Sequence, residues 1–89
     1  MLESIGPIDL GQKVIIRANF TYTGRLIEVW PTFFVLKDAA WIPSSGRWGH
    51  ALATGELDEV EPFPDGPVIV ARPTYDVARW NHPLPREAK

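Results

Sequence analysis

The chain has 89 residues, with nine Lys and Arg against eleven Asp and Glu and a formal charge of -2. That is one small domain, and it lacks the positive excess of a general nucleic-acid binder, so any nucleic-acid contact has to come from a local cluster. Cysteine is absent, which excludes disulfides, thiolate nucleophiles and zinc–thiolate sites, while 45% hydrophobic and 22% charged residues exclude a disordered chain.

The longest apolar runs, such as Phe33-Phe34-Val35-Leu36, are far short of a membrane span. Met1-Leu2-Glu3-Ser4 shows no basic stretch followed by an apolar one. The expected compartment is cytoplasmic, in a host cell if the source is viral, with no membrane contact. A chain this small without covalent staples buries a modest core, so self-association is an expected source of stability.

Lys13 to Tyr22 alternates: Val14, Ile16, Ala18, Phe20 and Tyr22 fall on one face, and Ile15, Arg17, Asn19 and Thr21 on the other. That pattern predicts a half-buried strand. Gly24 then permits a tight turn, and Arg25 to Trp30 reads as the returning strand of a hairpin. Pro31 breaks the ladder, and Phe33 to Trp41 reads as a third strand. Pro43-Ser44-Ser45-Gly46 is a loop by composition. Arg47 to Thr54 reads as a short helical turn with Gly55 as its stop. Glu56 to Pro62 reads as an extended edge, and Phe63-Pro64-Asp65-Gly66 as a turn. Val68 to Arg72 is a fourth strand, Pro73-Thr74-Tyr75-Asp76 a tight connection, and Val77 to Trp80 a short fifth strand. Prolines predict an extended tail over Asn81 to Arg86. About five short strands with one helical turn make an all-β chain, and so short a sheet must bend to cover an apolar face.

Gly11, Val14-Ile15-Ile16, Gly24-Arg25-Leu26-Ile27-Glu28 and Val35-Leu36-Lys37-Asp38-Ala39 resemble the first conserved block of Sm and Sm-like proteins. Val68-Ile69-Val70-Ala71-Arg72, a turn and Val77-Ala78 resemble the shorter second block. A fainter likeness, to small phage-encoded Sm-like proteins, runs through Glu59 to Pro64 and Trp80 to Pro85. The resemblance implies a small five-stranded, strongly bent SH3-like (Sm-like) barrel. It also implies a short N-terminal helical turn and an enlarged loop between strands three and four. On that reading residues 1–80 are a single Sm-like barrel domain and residues 81–89 a Pro-rich extended tail. It further implies a homomeric ring of about five to eight subunits, the fourth strand of one copy pairing with the fifth of the next. Val68, Ile69, Val70 and Val77 would lie on those strands, and Trp80, just beyond, would pack on a neighbour or cover the barrel end.

Many Sm-like rings bind single-stranded RNA around the pore. The resemblance places Arg72, Phe33, Phe34 and Thr32 at that position, but with departures from the family pattern. Phe33 or Phe34 stands where an Asn is usual, and Pro73 follows Arg72 in place of Gly. An arginine beside aromatic rings stacks bases and contacts phosphate in a sequence-tolerant way. The plainer alternative has Phe33 and Phe34 in the core or a subunit interface and Arg72 paired with a carboxylate. Adjacent strand residues face opposite sides, so one of the two phenylalanines is expected inside.

The four tryptophans, Trp30, Trp41, Trp48 and Trp80, form either a recognition surface or core and interface filling. His50 and His82 lack a metal-type partner motif, and Asp58, Glu59 and Glu61 read as a solvated acidic run. Ser44 and Ser45 have no His or Asp constellation, and no phosphate loop is present. The expectation is therefore a non-enzymatic protein without cofactor or metal. It either binds single-stranded RNA as a ring or serves as a ring-shaped structural or adaptor protein with a protein partner, its Pro-rich tail docking in that partner's groove.

Overall fold

The structure, a computed structural model, describes residues 1–89. Eight strands and one helix follow one another: β1 (Ser4–Ile5), β2 (Ile8–Asp9), β3 (Lys13–Arg17), β4 (Thr21–Val29), β5 (Phe33–Ser44), α1 (Trp48–Thr54), β6 (Glu59–Pro62), β7 (Val68–Ala71) and β8 (Asp76–Arg79). β3 to β8 form a six-stranded antiparallel sheet in the order β6-β5-β4-β3-β8, with β7 also on β5. The long β5 carries two partners along one edge: β7 lies against Phe33 to Leu36, and β6 against Ala40 to Ser44.

Three expectations need correction. The predicted five-stranded barrel is an open six-stranded sheet, because β7 and β8 each pair on one side only and not with each other. The short helix expected over Arg47 to Thr54 does form, as Trp48 to Thr54, and ends on Gly55 at φ 80°, a left-handed cap that suits glycine. In place of the implied N-terminal helical turn stands the two-stranded β1–β2 hairpin, linked to the sheet by a bridge from Leu2 to Val29. The β3–β4 turn falls at Ala18 to Phe20, not at Gly24. Gly24 lies inside β4 opposite Val14, and a Cβ there would lie 2.9 Å from Leu36 Cβ. Close approach, rather than turn geometry, calls for glycine at this position.

Two bulges curl the β4–β5 ribbon. Between the pairs Thr23↔Ala40 and Arg25↔Lys37, β5 carries an extra residue, and Asp38 there has φ 51°. Between Leu26↔Leu36 and Glu28↔Val35 the extra residue is on β4. An unpaired residue bends its strand and increases the local twist, and asparagine and aspartate tolerate the left-handed region better than most side chains.

The curl creates two cores. Val14, Ile16, Leu26, Val29, Phe34, Leu36 and Val70 pack together on one face of the sheet, with Ile8 from the N-terminal hairpin. Ile15, Ala40, Ile42, Ala51, Leu57, Val60 and Trp80 form the other. Val14, Ile15 and Ile16 are all fully buried, so β3 is covered on both faces and not half-buried as its alternation predicts. The cover on the second face is α1, β6 and the C-terminal segment. The role of the 42–67 stretch, read as an enlarged loop, is thus partly structural: β5 continues to Ser44, and α1 and β6 roof the outer face.

The Pro-rich segment folds back on its own chain. Trp80 Nε1 donates to Pro83 O, and His82 Nε2 lies 2.8 Å from Leu52 O. Arg86 donates to Ala39 O and Phe63 O. Lys89 and Val60 exchange two backbone hydrogen bonds of 2.9 and 3.0 Å. No helix is long and apolar enough to cross a membrane.

Candidate functional site

The start of β5 and the end of β7 bring the expected pore residues together. Arg72 N–H donates to Thr32 O at 2.9 Å, extending the β5–β7 ladder by one pair. The Arg72 guanidinium lies 4.6 Å above the Phe34 ring centroid and donates through Nη1 to Trp30 O at 2.9 Å. The alternative that paired Arg72 with a carboxylate does not hold, since a backbone carbonyl and an aromatic face take that place. Phe34 is 1% exposed and belongs to the core, so it supports Arg72 from below and presents no face to a base. Phe33 points the other way, half-buried, and stacks on Trp30 with ring centroids 5.9 Å apart. Trp30 Nε1 donates to Glu28 Oε1 at 2.7 Å. Thr32, Arg72 and Pro73 line a shallow cleft of about 360 Å3.

The expected assembly strands are exposed at their edges. Since Arg72 bonds to β5, the alternation of an antiparallel ladder turns the amides of Val70 and Val68 toward β5 and those of Ile69 and Ala71 outward. Trp80 N–H donates to Lys13 O at 2.9 Å, and the same alternation turns the amides of Val77 and Arg79 away from β3. Val70 is core and Val68 and Val77 pack beside it, while Ile69 is 67% exposed. Trp80 is 1% exposed inside the second core, which leaves it no surface for a neighbouring copy.

Between the β7 edge and the β3–β4 turn lies an apolar cleft of about 530 Å3, walled by Phe20, Tyr22, Ile69, Pro73 and Tyr75. Phe20 and Tyr75 are exposed, and Phe20 meets Trp41 edge to face at 5.7 Å. Sequence reading placed Phe20 on a strand face and Tyr75 in a connection, and assigned a role to neither. The available signal for Tyr75 was a large aromatic in a Pro-Thr-Tyr-Asp connection, where burial is not expected.

The other candidates separate. His50 pairs with Glu56 at 3.1 Å, His82 with a backbone carbonyl, and no group of three metal-ligating side chains forms. Asp58 lies against Gly46 beside Ser44 Oγ. Trp48 lies under the Arg17 guanidinium, 4.4 Å from its Cζ. Arg17 itself grips Asp76 through two nitrogens. Hydrogen bonds from Arg17 hold the Asp76 carboxyl below the usual carboxylate range.

No family model, curated protein or solved structure matches the chain.

Proposed function

We propose that the protein is a non-enzymatic assembly module whose copies join edge to edge into a closed homomeric ring. In this reading β7 of one copy pairs with β8 of the next, as the likeness to Sm-like proteins implies. The observation that carries it is the pair of half-paired strands, β7 and β8, with the exposed apolar cleft of Phe20, Ile69 and Tyr75 beside β7. Open edges invite uncontrolled pairing unless something covers them. A head-to-tail contact that closes after about five to eight copies covers the β7 and β8 edges and adds the burial that a small chain lacks. The assembled ring acts as a scaffold or adaptor for a protein partner.

One observation favours a second reading, single-stranded RNA binding at the pore. Arg72 and Thr32 share a cleft, and the half-exposed Phe33 and Trp30 stack beside it. Repetition around a ring multiplies a weak contact of this kind. The loss of Phe34 to the core removes half of the expected stacking surface.

Sedimentation of the purified protein tests the ring. A mass several times the 10.0 kDa chain is expected. Ile69→Asp, which puts a charge at the exposed edge, should return it to single chains with unchanged circular dichroism. Wild-type protein that sediments as one 10.0 kDa unit at high concentration would overturn the proposal. The RNA reading predicts oligouridine binding that weakens with salt and with Arg72→Ala.

A further inference from the structure

Two cations meet where no acid answers them. Lys13 opens β3 and Arg25 lies on β4, and both line one cleft of about 340 Å3 with Gln12 and Asn81; Arg79, which closes β8, borders it from the opposite sheet face, the side of Val14. Lys13 and Arg25 are direct cross-strand partners. Like charges in that position repel, and sheets normally avoid them. The chain has more acids than bases, eleven against nine, so acids are not scarce. Yet its ion pairs are Arg17–Asp76 and His50–Glu56, and no carboxylate oxygen comes within 4 Å of these three side chains.

Both cations, and Arg79 at the border, are also held in place. Arg25 donates to Gly11 O at 2.7 Å, Arg79 to Pro7 O at 2.6 Å and Lys13 to His82 O at 2.6 Å. Each tether uses one N–H donor, and an arginine has five and a lysine three, so donors remain on every side chain. Gln12 Oε1 accepts from Asp9 N at 3.0 Å, which leaves its amide NH2 free to donate. The lining is therefore a preorganised set of donors and positive charge without a competing acid. That chemistry matches a multiply charged oxyanion with several acceptor oxygens.

We infer that the Lys13–Arg25 cleft binds a phosphate group, either free or in the backbone of a single-stranded nucleic acid. One chain supplies every residue of the site, so the inference stands apart from the ring and from the Arg72 reading.

Two titrations of 15N-labelled full-length protein at low salt test it, one with inorganic phosphate and one with a short oligouridine. Saturable shifts of the Gln12 and Asn81 side-chain amides and of the Gly11 amide are expected with at least one probe. Phosphate alone would mark a small-ligand site, and a response to oligouridine a nucleic-acid backbone. Lys13→Gln and Arg25→Gln should each weaken binding about tenfold, the worth of one charge-assisted hydrogen bond, and Arg72→Gln should leave it unchanged. The inference is overturned if neither probe moves those amides, or if binding persists undiminished in the Lys13→Gln/Arg25→Gln double variant. Should a variant fail to fold, the shift map on the wild-type protein decides alone.

Discussion

Gly24 and Leu36 meet across the β4–β5 ribbon so closely that a methyl group on Gly24 would lie 2.9 Å from Leu36 Cβ. Leu36 is fully buried and Lys37 O lies 3.3 Å from the same point, so neither a side-chain swing nor a backbone shift is easy. Gly24→Ala should destabilise the fold by about 1–3 kcal/mol, the usual cost of overpacking. Urea unfolding measures it. An unchanged midpoint would mean that the two strands do not bend into contact here.

Trp80 fills the second core between the sheet and its roof. Its indole is 1% exposed, packs against Ile15, Ala51 and Val60, and donates to Pro83 O at 3.1 Å. Trp80→Ala should cost about 3–5 kcal/mol, read from the same unfolding curves. Trp80→Phe should cost less, because it keeps most of the volume. If Trp80 served a subunit contact instead, both variants would dissociate the assembly and leave the stability of the isolated chain unchanged.

Acidification should separate wild type from Asp76→Asn. The Arg17 hydrogen bonds depress the Asp76 pKa, so this stabilisation is complete above the unfolded carboxyl value and fades as pH falls through the folded one. Wild type should be the more stable near pH 7, with the difference shrinking below about pH 4. Both side chains are 41% exposed, so the gap is small and salt narrows it further. Denaturation midpoints across pH test this. A gap that widens in acid would reverse the sign and refute the pairing as its cause.

The strand content was largely legible. β-branched runs at Val14 to Ile16 and Val68 to Val70 mark β3 and β7, and Gly55 marks the end of α1. The β3–β4 turn was not legible, because a glycine serving close packing looks the same in sequence as one serving a turn. That misplacement also hid the basic cleft. With the turn moved back to Ala18–Phe20, Lys13 faces Arg25, and only then do the two charges become a pair. The second core was hidden for a different reason. Alternation reports one buried face, whereas the cover over Ile15 comes from Ala51, Leu57 and Trp80, which lie far along the chain. At the expected pore, the opposite facing of Phe33 and Phe34 was readable from strand geometry alone. The carbonyl of Trp30 under Arg72 was not, since backbone acceptors leave no trace in residue identity.

The interior position of β3, between β4 and β8, divides the molecule into two genetic zones. Its edges are taken by β4 and β8, and Val14, Ile15 and Ile16 have no exposed surface. Lesions there would erase every property of the protein at once and so teach nothing about any of them. The β7 rim and the cationic cleft, with Lys13 at the exposed start of β3, lie outside that buried triplet, where a single replacement can silence one trait and spare the rest.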